Sequence, residues 1–216
     1  MKNSRKYISE NIMRGIFLFS ACVCIIAVAM ICVFLFANGL PFFRNYNTVE
    51  FLSGTTWAPL RKVFGILPMI LGSFIITLGA VLLASPIGIL TAAFITFFSN
   101  KKINRFMQPA VALLAGIPSV VYGFFGVMVL VPLTKNLFHI SSGKSILSAC
   151  VLLAIMILPT IIQTSAAAMS AVPKNYYEGS LALGATHEYS VFSVMLPAAR
   201  PGILSGVVLG VARAIG

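Results

Sequence analysis

The sequence has 216 residues, of which 59% are hydrophobic and 9% are charged, and its mean hydropathy is +1.02. A soluble domain carries about a quarter charged residues, so this composition excludes an ordinary water-soluble protein and favours a membrane protein. The formal net charge of +11 comes from Lys and Arg that lie mostly between apolar runs, a pattern of membrane topology and not of a nucleic-acid-binding face.

The first predicted element is a membrane span over residues 16–37, preceded by a basic cytoplasmic segment over residues 1–15. A cleaved signal peptide is the alternative, because Ala27-Val28-Ala29 resembles a cleavage site. However, the apolar run continues to Ala37, beyond the 7–15 residues that the apolar part of a signal peptide occupies. We therefore predict an uncleaved spanning helix.

The next predicted element is an external loop over residues 38–67. The charge-free run that follows, Val63–Asn100, is too long for one simple span. We assign its beginning, Phe64–Pro68, to a short interfacial segment and its remainder, about Gly72–Phe98, to the second span.

Three more apolar runs complete the chain. Phe106–Thr134 contains the third predicted span, Ser145–Pro173 contains the fourth, and a partial fifth begins near Pro201. Pro86, Pro118 and Pro159 lie inside apolar runs, where we expect them to kink helices or line cavities. The predicted fold is an all-α, multi-spanning membrane bundle with four complete spans and part of a fifth.

The distribution of Lys and Arg predicts the orientation of these spans. With the N-terminus inside, the inner loops hold nine basic residues and the outer loops hold five. Because basic residues are enriched in cytoplasmic loops, a cytoplasmic N-terminus is favoured.

The cytoplasmic loop over residues 174–200 is unlike the others because it contains two of the four acidic residues, Glu178 and Glu188. Its apolar spacing suits two short helices that are broken at Gly184, where glycine can supply the positive φ of a tight turn.

This loop resembles the EAA loop of ABC-importer permeases, whose motif is E-A-A, three residues, G, nine residues and I-x-L-P. The matching positions are Glu178, Gly184, Val194, Leu196 and Pro197. Gly179-Ser180 replaces the Ala-Ala pair, and valine replaces isoleucine. The resemblance implies that the loop forms coupling helices that dock on an ATPase subunit; an ordinary amphipathic loop is the alternative.

Other segments resemble the PstC-type permeases of phosphate importers, within the MetI-like type I importer family. They are Trp57-Ala58-Pro59 with Phe64–Pro68, the stretch Ala115–Gly126, and Leu158–Ile162. The signature residues that also suit helix packing are Gly116, Pro118, Ser119, Tyr122 and Gly123, and Gly126 could serve packing as well. Ala166 and Ala167 depart from the family pattern, which often has acidic residues there.

The resemblance implies a permease domain over residues 68–216 in a bacterial inner membrane. It implies inorganic phosphate import together with a PstA-like second permease, two ATPase subunits and an extracytoplasmic phosphate-binding protein. ATP hydrolysis would belong to the ATPase, so this chain would be no enzyme and would bind no cofactor. Such permeases have six spans, so we expect the sequence to continue beyond Gly216, with Glu-Thr next.

Arg213 lies about 13 residues into the last apolar run. A guanidinium inside a membrane is costly and offers a two-pronged donor to an oxyanion. The resemblance implies that Arg213 lines the translocation path; the alternative is an arginine that extends to the outer interface.

Other function classes find less support in the residues. A permease for a related oxyanion, sulfate or molybdate, is the first alternative. An ion-coupled transporter or channel would favour acidic residues within spans, yet the chain has no Asp and its four Glu lie in or beside loops. A membrane enzyme or metal site is disfavoured because the two histidines, His139 and His187, fall on opposite predicted sides, where each is expected to be solvated.

Overall fold

A computed structural model describes the backbone of residues 2–215 and the side chains of residues 10–44 and 46–215. The chain divides between Pro68 and Met69 into two compact units. The described residues are almost entirely helical, and four helices are long and apolar enough to cross a membrane. This confirms the predicted all-α, multi-spanning fold with four complete spans.

The first unit contains helix α1 (Lys2–Asn45), helix α2 (Thr48–Ser53) and a two-stranded hairpin. Strands β1 (Trp57–Ala58) and β2 (Val63–Phe64) are antiparallel, with Trp57 opposite Phe64, and a 3-10 turn (Pro59–Arg61) joins them. Helix α1 therefore extends beyond the predicted span on both sides. The segment predicted as interfacial begins within β2, and the second long helix begins at Leu67.

The second unit is a succession of helices. Their bounds are α3 (Leu67–Ala93, continued by a π-helical turn over Phe94–Phe98), α4 (Lys101–Gly116), α5 (Ser119–Phe125, continued by a π-helical turn over Gly126–Leu130), α6 (Val131–Phe138), α7 (Ile146–Ala171), α8 (Lys174–Ala182), α9 (His187–Ser190, continued by a π-helical turn over Val191–Met195), α10 (Leu196–Ala198) and α11 (Arg200–Ile215). Helix α3 begins at the end of the first unit.

The third apolar run does not form one helix. It is broken at Ile117-Pro118, so the spanning helix starts at Ser119 and the preceding part of the run belongs to α4. Proline disfavours helical backbone in the residue before it, and Ile117 accordingly has an extended ψ of 127°. Pro86 and Pro159, by contrast, lie inside α3 and α7.

Helix α7 forms the centre of the second unit. Its side chains Ile157, Pro159, Ile161, Ser165 and Met169 are fully buried. Ile157 and Ile161 join one hydrophobic cluster with residues of α3 and α5, and Met169 joins a second cluster with residues of α3, α4 and α11. Small residues permit these contacts: a Cβ at Gly88 of α3 would lie 2.8 Å from the Ile161 side chain. Close approach through small residues is how helices associate where lipid removes the hydrophobic drive.

Candidate functional site

The loop over residues 174–200 forms the helix pair that its sequence predicts. Helix α8 ends at Ala182, and Gly184 follows with φ of +87°. The Gly184 N–H donates to Leu181 O at 2.9 Å and the Ala185 N–H donates to Ser180 O at 3.2 Å. This pair of bonds is the Schellman arrangement, in which a glycine in the left-handed region closes a helix. The predicted helix break at Gly184 is confirmed.

Helix α9 starts at a side-chain cap supplied by Thr186. The Tyr189 N–H donates to Thr186 Oγ1 at 3.3 Å, and Glu188 lies in the first turn, where a negative charge complements the helix dipole. The turn between the two helices is open to solvent: Leu183 is 91% exposed, and Glu178 on α8 is also exposed. The loop therefore presents a structured, accessible surface.

A hydrogen bond that we did not predict joins the two helices. Tyr177 Oη on α8 lies 2.8 Å from His187 Nδ1 on α9. The imidazole also packs edge-on to the ring of Phe98, at 4.8 Å between ring centroids, so the pair contacts the end of the second span. His187 is therefore partly buried and bonded, and the expectation of a solvated loop histidine was wrong for this residue. The one sequence signal was an aromatic residue and a histidine on either side of the glycine turn.

The end of the loop joins the membrane helices directly. Leu196 packs against the hydrophobic cluster that contains Met169, Ala199 and Ile203. Pro197 lies in the first turn of α10, and the chain then bends by 68° into α11. The four predicted loop residues thus occupy distinct places: Glu178 lies on α8, Gly184 lies at the turn, and Leu196-Pro197 lie in α10 just before α11.

Helix α11 packs on α7 through a glycine stripe that we did not predict. Gly202, Gly206 and Gly210 recur every fourth residue, and a Cβ at any of them would press against α7. At Gly206 and Gly210 that Cβ would lie 3.1 Å from Thr164 and Ile161 side-chain atoms. The four-residue spacing itself was the available signal.

Arg213 follows this stripe by one turn and reaches across to two other elements. Its Nη1 donates to Thr160 Oγ1 on α7 at 3.0 Å, and its Nη2 donates to Ala115 O near the end of α4 at 3.4 Å. Thr160 lies near the middle of the α7 span. The guanidinium is partly buried at that depth.

An open cavity of about 640 Å³ lies beside Arg213. Its walls include the break between α4 and α5, contributed by Gly116, Pro118 and Ser119. The structure therefore brings the predicted path residue and three of the five predicted signature residues to one place. The guanidinium has five N–H donors, of which the two hydrogen bonds use two. The other three remain to donate to a ligand bound in this cavity.

Tyr122 and Gly123 have other surroundings. Tyr122 is buried, and its hydroxyl donates to Leu114 O at 2.8 Å, which joins α5 to α4 across the break. Among the residues that the structure describes, a Cβ at Gly123 or Gly116 would meet nothing within 4 Å. The close helix contact in this region is made instead by Gly126, which abuts the Leu152 side chain.

Metal-binding chemistry has no support from the described residues: no group of three or more His, Cys, Asp or Glu is placed to hold an ion there. Cys22, Cys24 and Cys32 are exposed along α1, and Cys150 is buried in α7. His139 ends α6 with φ of +51°.

Residues 84–216 match the family described as "Binding-protein-dependent transport system inner membrane component". The "Probable ABC transporter permease protein YqgH" of Bacillus subtilis is 40% identical over 220 residues, covering 99% of this chain and 71% of the relative. "Phosphate transport system permease protein PstC" of Mesorhizobium japonicum is 34% identical over 186 residues, covering 77% of this chain and 57% of the relative.

The "Probable phosphate transport system permease protein PstC" of Methanocaldococcus jannaschii is 32% identical over 213 residues, covering 90% of this chain and 67% of the relative. The chain thus spans between about half and three quarters of the length of these curated relatives. Among solved structures, the MetNI methionine ABC transporter in inward-facing conformations contains a similar fold. That match has a TM-score of 0.56 and 22% identity, and covers 76% of this chain and 73% of that one.

Proposed function

This chain belongs to the family of inner membrane components of binding-protein-dependent transport systems, and from that premise we propose that it is a permease subunit of an ATP-driven inorganic phosphate importer. Relatives named as phosphate permeases support the choice of substrate. The proposal also follows the sequence resemblance at Ala115–Gly126 and Trp57–Pro68.

The observation that carries the proposal is the position of Arg213. A charge at mid-membrane depth costs several kcal/mol unless it faces protein or water, so an arginine kept there indicates a function. The guanidinium beside an open cavity offers a planar fork that matches the geometry of phosphate oxygens. An arginine extended to the outer interface would not be expected to hydrogen-bond Thr160, near the middle of α7.

We further propose that the α8–α9 pair receives motion from an ATPase subunit. A helix pair closed by Gly184 and joined by Tyr177 and His187 can move as one body, which a flexible loop cannot do. Because α11 directly follows the end of the loop, displacement of the α8–α9 pair would shift the helix that carries Arg213. ATP hydrolysis and the state of the path would then be linked.

The assembly that this role requires contains four kinds of partner. They are a PstA-like second permease, two ATPase subunits, an extracytoplasmic phosphate-binding protein and the lipid bilayer. The open faces at Gly116 and Gly123 are suited to close approach by the second permease. We place the complex in the bacterial inner membrane, with the N-terminus on the cytoplasmic side that the basic residues favour.

The test is transport by the reconstituted complex. The chain is assembled with its permease and ATPase partners in vesicles, and the ATP-dependent uptake of radiolabelled phosphate is measured with the binding protein present. We expect saturable uptake that unlabelled phosphate suppresses and that sulfate and molybdate do not. Uptake of sulfate or molybdate in place of phosphate would refute the substrate, and uptake that needs no ATP would refute the ATP-driven mechanism.

A further inference from the structure

The hairpin over residues 57–64 projects an apolar side chain that two basic residues follow. Leu60 stands at the tip with 102% of its reference surface exposed, and Arg61 and Lys62 follow it, both exposed. Lys62 has φ of +57°, the left-handed conformation that turns the chain back into β2. Trp57, at the base of the hairpin, is 47% exposed.

The hairpin is a built substructure and not a loose loop. Gly54 and Gly65 cross with their backbones in contact, and a Cβ added to either would lie 2.7 Å from the Cα of the other. The Gly65 N–H donates to Thr56 O at 2.9 Å, and the Ile66 N–H donates to Phe51 O at 3.0 Å. The apolar tip is therefore held in its exposed position by the backbone.

Aromatic contacts attach this substructure to the end of α1. Phe42 packs against Tyr46, Phe51 and Phe64, with ring centroids 5.3–5.4 Å apart, and Tyr46 Oη accepts a hydrogen bond from the Phe64 N–H at 3.3 Å. Helix α1 is long and apolar enough to span a membrane. The hairpin is consequently attached to the C-terminal end of a helix that can span the bilayer.

We propose that the hairpin over residues 57–64 is a membrane-interface anchor, with Leu60 inserted among the acyl chains and Arg61 and Lys62 on anionic lipid headgroups. Leu60 has no contact that covers it among the described residues, and lipid acyl chains would cover it. Paired basic residues match the negative potential of anionic lipids, and a tryptophan at the hairpin base suits the headgroup layer. The anchor is independent of the transported substrate.

The chain carries its own probe for this proposal, because Trp57 is its single tryptophan. The protein is reconstituted in nanodiscs of phosphatidylcholine, with or without phosphatidylglycerol, and Trp57 fluorescence is measured with lipids brominated at graded depths. We expect quenching by lipids brominated near the headgroup and little quenching by aqueous acrylamide.

Variants separate the two parts of the anchor. Leu60→Asp should decrease quenching by brominated lipid and increase quenching by acrylamide. Phosphatidylglycerol should increase the quenching of Trp57 by brominated lipid in the parent protein. The double variant Arg61→Gln with Lys62→Gln should lose only this increase, and high salt should have the same effect. Leu183→Asp is the matched control, since Leu183 is a 91% exposed leucine elsewhere in the chain, and it should leave Trp57 quenching unchanged.

Three outcomes would overturn the proposal. The first is quenching of Trp57 by acrylamide and not by brominated lipid in the parent protein. The second is a Trp57 signal that Leu60→Asp does not alter. The third is a Trp57 signal that changes only when a soluble binding protein is added, which would make the hairpin a protein-docking surface. Circular dichroism of each variant checks that the helices are retained.

Discussion

The replacement of Arg213 by lysine separates the charge of the proposed path from its geometry. Arginine spans two elements here, with one prong on Thr160 and the other on the carbonyl of Ala115. Lysine keeps the positive charge but ends in a single ammonium that cannot reproduce a planar fork. The variant therefore loses one charge-assisted hydrogen bond to a bound oxyanion.

The magnitude follows from that single bond. A hydrogen bond to a charged group contributes about 1.5–3 kcal/mol, which corresponds to roughly a 10- to 150-fold increase in the phosphate concentration that half-saturates transport. Arg213→Gln loses the charge as well, and we expect its uptake to fall to background. Thr160→Val keeps the shape of the side chain and removes its hydrogen bond to Arg213 Nη1. This variant should change the half-saturating phosphate concentration much less than either Arg213 substitution.

Phosphate uptake into vesicles is the assay, with ATP hydrolysis by the same complexes measured in parallel. Hydrolysis that persists in the Arg213→Gln complex would show that the assembly has formed and that the defect lies in the path. The reasoning is refuted if Arg213→Lys and Arg213→Gln both transport with parental half-saturation. It is also refuted if both variants lose uptake only because they fail to assemble.

Three further changes test the loop and the helix contact. Gly184→Ala places a Cβ on a left-handed residue and should lower the free energy of unfolding, measured by denaturant titration, by about 1 kcal/mol. Gly179→Ala is the control, because Gly179 lies in the interior of α8 with open space around it, and this variant should be neutral or slightly stabilising. Tyr177→Phe removes the hydroxyl whose hydrogen bond joins α8 to α9 and contributes about 1 kcal/mol. The variant should increase the rate of amide hydrogen exchange in α9 and reduce the phosphate transported per ATP hydrolysed. Tyr176→Phe is the control at an exposed neighbouring residue and should change neither quantity. Gly202→Ala meets the rigid Cβ of an alanine on α7 and should lower the melting temperature, with Gly179→Ala again as the control; an unchanged melting temperature would contradict the close α7–α11 packing.

Much of this architecture could be predicted because its causes are local. The spans follow from apolar runs, since a segment in lipid must satisfy its backbone within its own helix. The break at Gly184 follows from one residue that tolerates positive φ. Pro118 correctly predicted a disturbed helix, but the apolar run around it predicted one continuous span, whereas the structure begins that span at Ser119.

Most of the contacts that were not predicted join residues distant in sequence. Nothing beside His187 indicated Phe98, because that pairing depends on where the end of α3 meets the loop. Packing was expected of both Gly123 and Gly126; Gly126 abuts the Leu152 side chain, while a Cβ at Gly123, one turn earlier, would meet nothing within 4 Å among the described residues. Which glycine of a small-residue segment is packed depends on the rotation of the helix, and composition does not fix that rotation.

By itself the sequence determined that the protein is helical, crosses the membrane several times and carries a two-helix polar loop before its last helix. Only the tertiary structure decided that Arg213 would meet Thr160 and Ala115, 53 and 98 residues away. The physical reason is that hydropathy and turn residues act over one helix or one turn. The cavity beside Arg213, in contrast, is lined by residues of the α4–α5 break, α7 and α11, which only the packing of these helices brings together.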